Sequence, residues 1–144
     1  MQKITIIGAG YVGFSLAVLF GQEKAVTIFD IDLSKLEKID KQASPIPDTK
    51  INEFLRTKIL NIKTCDNLVD SIEGSDLIVI ALPTNFDETK GSFDTHAIES
   101  TIADIFQRNQ STPVLIKSTV PIGFTRKMQC MYPLSDIIFS PEFL

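Results

Sequence analysis

The chain has 144 residues, 44% of them hydrophobic, and a formal net charge of −4. That length and apolar content fit one domain with a real core, and an acidic balance without a long basic cluster excludes a surface that tracks a nucleic-acid backbone. A single histidine and two cysteines outside metal or redox spacing leave little for a His-based metal centre, a Ser-His triad or a disulfide scaffold, and they suit a reducing cytoplasm.

In chain order, Lys3-Ile4-Thr5-Ile6-Ile7 reads as a buried strand, and Gly8-Ala9-Gly10-Tyr11-Val12-Gly13 follows it directly. A helix over residues 11–22 comes next. Strand, G-x-G-x-x-G turn and helix in that order are the fingerprint of a dinucleotide-binding βαβ unit. Gly8 would permit the tight turn, Gly10 the approach of backbone to a pyrophosphate, and Gly13 close helix–strand packing. The helix N-terminus would offer free N–H groups and partial positive charge to the phosphates. The apolar stretch 4–20 is broken by these glycines and is shorter than the roughly 20 apolar residues that span a bilayer. It also lacks a basic leader, so it is expected to be strand and helix, not a membrane or signal segment.

Residues 25–30 read as the second strand, closed by Asp30. An acidic residue about 20 positions past the glycine turn accepts hydrogen bonds from the adenosine ribose hydroxyls and repels a 2′-phosphate, which favours NAD over NADP. The competing reading is that Asp30, with Asp32, only caps the next helix. Ser34-Lys35-Leu36-Glu37 has capping-box spacing and is expected to start that helix. Ser44-Pro45-Ile46-Pro47-Asp48 breaks it, a helix is expected over 49–58, and a short third strand over 61–64.

The continuous apolar run 76–82 is expected to be a strand buried on both faces. A polar loop follows over 83–94, then a helix over 95–108; His96 sits near its beginning and is expected to be solvated. The fifth strand is expected at 113–117, a helix at 122–131, and the sixth strand at 136–139. Alternating strands and helices imply an α/β, Rossmann-type, doubly wound parallel sheet of about six strands, ordered 3-2-1-4-5-6, in one domain over 1–144. Ligands of such sheets bind outside the carboxyl ends of the strands. The residues that follow those ends are the glycine turn, Asp30, Pro83-Thr84-Asn85, Ser118-Thr119 and Ser140-Pro141-Glu142. Thr84, Ser118 and Thr119 would each, taken alone, pass for turn and cap residues. Their shared edge makes them candidates for a site.

The same segments carry a resemblance. Gly-Ala-Gly-Tyr-Val-Gly, Pro83-Thr84-Asn85-Phe86-Asp87, Phe93-Asp94-Thr95, Lys117-Ser118-Thr119-Val120-Pro121-Ile122-Gly123 and Phe139-Ser140-Pro141-Glu142-Phe143-Leu144 look like the UDP-glucose 6-dehydrogenase family, in order and from end to end. The wider nucleotide-sugar dehydrogenases, for GDP-mannose and UDP-N-acetylmannosamine, share the glycine turn and a Ser-Thr-Val-type segment. The short loop from Pro83 to Thr95 is more similar to the bacterial UDP-glucose branch.

The resemblance implies a chemistry: two successive oxidations of the C6 alcohol of UDP-glucose by two NAD⁺, through a cysteine-bound aldehyde and thioester, releasing UDP-glucuronate. Carried over by motif, it implies that Val12, Asp30, Lys35, Thr84 and Thr119 touch NAD, Lys35 being equally readable as a solvated helix residue; with Gly8, Gly10, Tyr11 and Gly13 of the glycine turn and Ser118 of the shared edge, they make up the expected cofactor site. It implies catalytic roles for Thr119, which would position a water, and for Glu142, which would act near the sugar. The full-length enzyme is expected to be cytoplasmic and a homodimer, with no nucleic-acid or membrane partner. Neither Cys65, expected just past the third strand, nor Cys130, late in a helix, matches the nucleophile's motif; each is expected to be a buried or bystander thiol. The expectation is therefore an isolated cofactor domain, with the nucleophile, central helix and sugar domain beyond Leu144. The alternatives are another nucleotide-sugar dehydrogenase or a free-standing NAD-binding regulatory module.

Overall fold

The computed structural model describes residues 2–88, 91–108 and 111–142. Its elements run β1 (Lys3–Ile7), α1 (Tyr11–Gly21), β2 (Ala25–Phe29), α2 (Leu33–Asp40), α3 (Thr49–Thr57), β3 (Ile62–Cys65), α4 (Leu68–Ile72) and β4 (Leu77–Ile80). They continue with β5 (Phe86–Asp87), β6 (Ser92–Phe93), α5 (His96–Arg108), β7 (Val114–Ile116), α6 (Phe124–Met131) and β8 (Ile137–Phe139). Six strands form one parallel sheet ordered β3-β2-β1-β4-β7-β8. Counting only these six in chain order, this is the expected 3-2-1-4-5-6.

Period-two alternation along the inner strands divides the core into two clusters. Ile4 and Ile6 of β1, Val26 and Ile28 of β2 and Val79 of β4 pack under α1, α2 and α3 through Phe14, Ala17, Val18, Ile39 and Ile51. Ile7, Ile78, Ile80, Val114 and Ile116 point the other way, against Ile72 of α4, Ile98, Ile102, Ile105 and Phe106 of α5, and Phe124 and Met128 of α6. Both faces are therefore covered, which is why β4 reads as an unbroken apolar run and β1 nearly so. Burying each such isoleucine is worth about 1.5–3 kcal/mol. Thr5 is the polar exception on β1. Its hydroxyl donates to the Ser71 carbonyl at 2.6 Å and shares a hydrogen bond with Ser75 at 2.7 Å, tying α4 to the central strand.

Several expectations need correction. Helix α2 is capped by Asp32, whose carboxylate accepts the Ser34 N–H at 3.0 Å, not by Ser34. An aspartate two residues earlier outcompetes the serine because it also accepts the Ser34 hydroxyl, at 2.6 Å. Helix α4, capped by Asn67, was not expected. The loop expected over 83–94 holds the antiparallel hairpin β5–β6, with Phe86 opposite Phe93 and their rings edge-on at 5.4 Å; its residues 89 and 90 lie outside the described residues. Asp76 is not in β4: its carboxylate accepts the N–H groups of Gln2 at 2.6 Å and Lys3 at 3.0 Å, fastening the turn before β4 to the start of β1. Helix α6 begins at Phe124, two residues later than expected, because Phe124 N–H closes a turn on the Pro121 carbonyl. Cys65 is the last residue of β3, so a cysteine does stand at the sheet's carboxyl edge.

Candidate cofactor site

At the carboxyl edge lies a cavity of about 870 Å³. The β1–α1 turn contributes Gly8, Gly10, Tyr11 and Val12, residues 29–32 and Lys35 come from the end of β2 and the start of α2, and residues 81–84 follow β4. The far wall is residues 117–119 after β7 and Glu142 after β8. Every expected site residue except Gly13 lines this space. Phe143 and Leu144, the end of the last motif, lie outside the described residues.

The three glycines are needed for different reasons. Gly8 has φ +106°, and a Cβ there would stand 2.5 Å from the Ala81 carbonyl oxygen. A Cβ on Gly13 would collide with the Gly8 carbonyl oxygen and press on Ala81, so Gly13 serves packing rather than contact with a ligand. Gly10 has ordinary extended torsions (φ −83°, ψ −167°), and a Cβ there meets no protein atom within 4 Å. Nothing inside the protein requires a glycine at position 10. The open space there would admit a pyrophosphate pressed on the turn.

The start of α1 supports the same fit. Helices α2, α3 and α4 are capped by the side chains of Asp32, Asp48 and Asn67. Helix α1 begins at Gly10 with no side-chain cap and no acidic residue in its first turn. Its first N–H groups have no intrahelical partner, and those of Gly10, Tyr11 and Val12 belong to residues that line the cavity. A dinucleotide's phosphates would satisfy them.

Asp30 is 7% exposed and sits just past β2. Its Oδ2 accepts the Ala9 N–H at 2.7 Å and the Lys35 ammonium at 3.1 Å, and its Oδ1 accepts the Asp32 N–H at 2.9 Å. Both readings of Asp30 therefore have substance: it orders the entry to α2 and it faces the cavity. Beside it, the Ser34 hydroxyl holds the exposed Asp32 carboxyl below the usual carboxylate range.

Across the cavity, Ser118 is buried and donates its hydroxyl to the Leu82 carbonyl at 2.7 Å, bridging the segments after β7 and β4. Thr84 and Thr119 are half-buried at the cavity wall. Glu142 pairs with Lys117 at 2.9 Å, where Lys117 is 11% exposed and Glu142 47%. Glu142 is thus paired and wet rather than desolvated. Sequence reasoning gave Lys117 no role; the signal was a lone cation ending a buried strand. It also missed Ala97, Ser100 and Thr101, small residues on one face of α5 that line the cavity. Their i, i+3, i+4 spacing was the available sign.

His96 is exposed, with its N–H on the Asp94 carboxylate at 3.0 Å. Cys65 is half-buried and donates its thiol to the Asn67 carbonyl, and Cys130 is exposed on α6. Neither cysteine lines the cavity. Among the described residues no cluster could hold a metal ion, and no helix is long and apolar enough to cross a membrane.

An open parallel sheet whose strand order reverses between β1 and β4, with a glycine turn and an uncapped helix at that switch, defines a dinucleotide-binding domain of the Rossmann class. Comparison with known proteins narrows the class. Residues 2–144 match the model of the UDP-glucose/GDP-mannose dehydrogenase family, NAD binding domain. The chain is 42% identical to a UDP-glucose 6-dehydrogenase of Campylobacter jejuni over 145 residues, covering 99% of this chain and 37% of that protein. It is 39% identical to one of Streptococcus pneumoniae over 143 residues, covering 99% and 36%. Among solved structures, a UDP-D-ManNAc dehydrogenase from Pyrococcus horikoshii superposes with TM-score 0.86 over 99% of this chain and 37% of that one, at 24% identity. The chain belongs to the UDP-glucose/GDP-mannose dehydrogenase family and is an NAD-binding domain of it. It spans little more than a third of the length of the curated relatives it matches.

Proposed function

We propose that this domain holds NAD in the cavity over the β1–α1 turn and serves the oxidation of the C6 alcohol of UDP-glucose to UDP-glucuronate, within a longer protein. The observation that carries the cofactor half is Gly10, a cavity-lining glycine whose side-chain space is empty of protein. The likeness to relatives named UDP-glucose 6-dehydrogenase supports the sugar half. When bound, NAD⁺ supplies a hydride acceptor.

Gly10, Tyr11 and Val12 would hold the pyrophosphate through backbone N–H groups, while Gly8, whose N–H is donated to the Phe29 carbonyl at 2.8 Å, and Gly13 keep the turn closed. Asp30 and Lys35 would meet the adenosine ribose. Thr84 and Thr119 would bound the nicotinamide half, and Ser118 would keep their two segments in register. Thr119 would orient a water through its hydroxyl, and Glu142, steadied by Lys117, would act on that water beside the sugar. Such chemistry needs a nucleophile and a sugar site from outside these 144 residues, since neither cysteine faces the cavity. A cytoplasmic homodimer, without nucleic-acid or membrane partners, is the setting proposed for the longer protein. A regulatory NAD module would use the glycine turn and Asp30, yet it has no use for Thr119 and Glu142 on the same wall.

The test uses the full-length protein containing this domain, given NAD⁺ with UDP-glucose, GDP-mannose or UDP-N-acetylmannosamine. The expected result is two NADH per UDP-glucose, turnover lost on Glu142→Ala, and no turnover with the other sugars. Turnover with GDP-mannose instead would reassign the substrate, and turnover unaffected by Glu142→Ala would remove that residue from the mechanism.

A further inference from the structure

The grip of Asp30 on a ribose is incomplete as the chain stands, and the missing part lies with Lys35. A carboxylate offers about four acceptor positions. Three are taken on Asp30: by the Ala9 N–H, the Asp32 N–H and the Lys35 ammonium. An adenosine ribose brings two hydroxyl donors and finds one position open. Two of the three occupants are backbone groups held by the glycine turn and the entry to α2. The third is a flexible side chain, 33% exposed, on a helix that borders the cavity. For both hydroxyls to bind Asp30, Lys35 must leave Oδ2.

A Lys35 ammonium released from Oδ2 would be a cation at this end of the cavity. The charged groups at this end of the cavity are Asp30, Asp32 and Lys35. Lys117, the other cation among the described residues lining the cavity, is paired with Glu142 after β7 and β8. A carboxylate at the end of β2 rejects a 2′-phosphate by like-charge repulsion, whereas an ammonium released from that carboxylate attracts one. We propose that Lys35 is a specificity-determining residue. It exchanges with the ribose hydroxyls on Asp30, and it softens the rejection of 2′-phosphorylated dinucleotides that Asp30 alone would impose. This rests on the NAD site proposed above.

The 144-residue chain itself serves for the test, by calorimetric titration of NAD⁺ and NADP⁺ into the unaltered chain, Lys35→Met and Lys35→Arg. The methionine variant should raise the ratio of the NADP⁺ to the NAD⁺ dissociation constant about tenfold, the loss of one charge-assisted contact. It should weaken NAD⁺ less than NADP⁺, because the ammonium lost as a contact was also a competitor for Asp30. Lys35→Arg, which keeps the charge, should hold the ratio near that of the unaltered chain. Equal weakening of both dinucleotides by Lys35→Met would make Lys35 an ordinary contact and overturn the proposal, as would an unchanged or lowered ratio. Failure of the unaltered chain to bind NAD⁺ would instead sink the cofactor site beneath it.

Discussion

Three glycines within six residues meet three separate physical surroundings, and on the proposed reading only one of them concerns a ligand. Gly8 and Gly13 are fixed by the protein's own backbone: a left-handed φ and a carbonyl oxygen where a Cβ would go. At Gly10 the protein leaves the side-chain space empty. Asp30 shows a similar layering, as one carboxylate holds the glycine turn through Ala9, the entry to α2 through Asp32, and a cavity-lining cation through Lys35. Asp30→Ala is therefore expected to weaken NAD⁺ binding by about 1–3 kcal/mol, the range for removing hydrogen bonds to a charged acceptor. The melting temperature should fall as well, because the Ala9 and Asp32 N–H groups lose their partner. Calorimetry below the variant's melting temperature separates the two effects; undiminished affinity there would show that the ribose does not sit on Asp30.

At the scale of elements, carboxylates fasten segments that the chain brings together from afar. The N–H groups of Gln2 and Lys3 hold the exposed Asp76 carboxyl below its usual range. On α5, burial opposes ionisation of Glu99, but the Thr95 hydroxyl and the Lys127 ammonium outweigh it, so this carboxyl is also held low. A carboxyl depressed in the folded state contributes stability above its unfolded pKa and loses it as pH falls through the folded value. The melting temperature should be flat near neutrality and should drop below about pH 4, with Asp76→Asn showing a shallower drop on the acid side. An identical acid limb in the variant would mean that the Asp76 tie contributes nothing. Strand order, long helices and the cavity's main contributors were legible because buried parallel strands and full helical turns leave periodic signals over many residues. Helix α4 was not, since five residues span little more than one turn, and the hairpin β5–β6 was not, since two-residue strands have no period to detect. The α2 cap went to Ser34 instead of Asp32 because two capping residues stood two positions apart, and side-chain reach decided between them. Lys117 was hidden for another reason: its partner is Glu142, 25 residues away in sequence and brought near only by the pairing of β7 with β8.

The whole molecule is a two-faced sheet whose covered sides supply stability and whose carboxyl edge is left for binding. Core clusters on both faces fix the register of β1, β2, β4 and β7. That register brings the glycine turn, Asp30, Thr84, Thr119 and Glu142 around one cavity although they are up to 134 positions apart. The central claim is that this cavity takes NAD with its pyrophosphate on Gly10. The most direct measurement is a calorimetric titration of NAD⁺ into the 144-residue chain and into Gly10→Val, with circular dichroism melts of both. Valine at an extended position with no protein neighbour leaves the fold intact but fills the pyrophosphate's place. The expected result is saturable binding at one equivalent by the unaltered chain and its loss in the variant at a near-unchanged melting temperature. No binding by the unaltered chain, or undiminished binding by Gly10→Val, would contradict the claim.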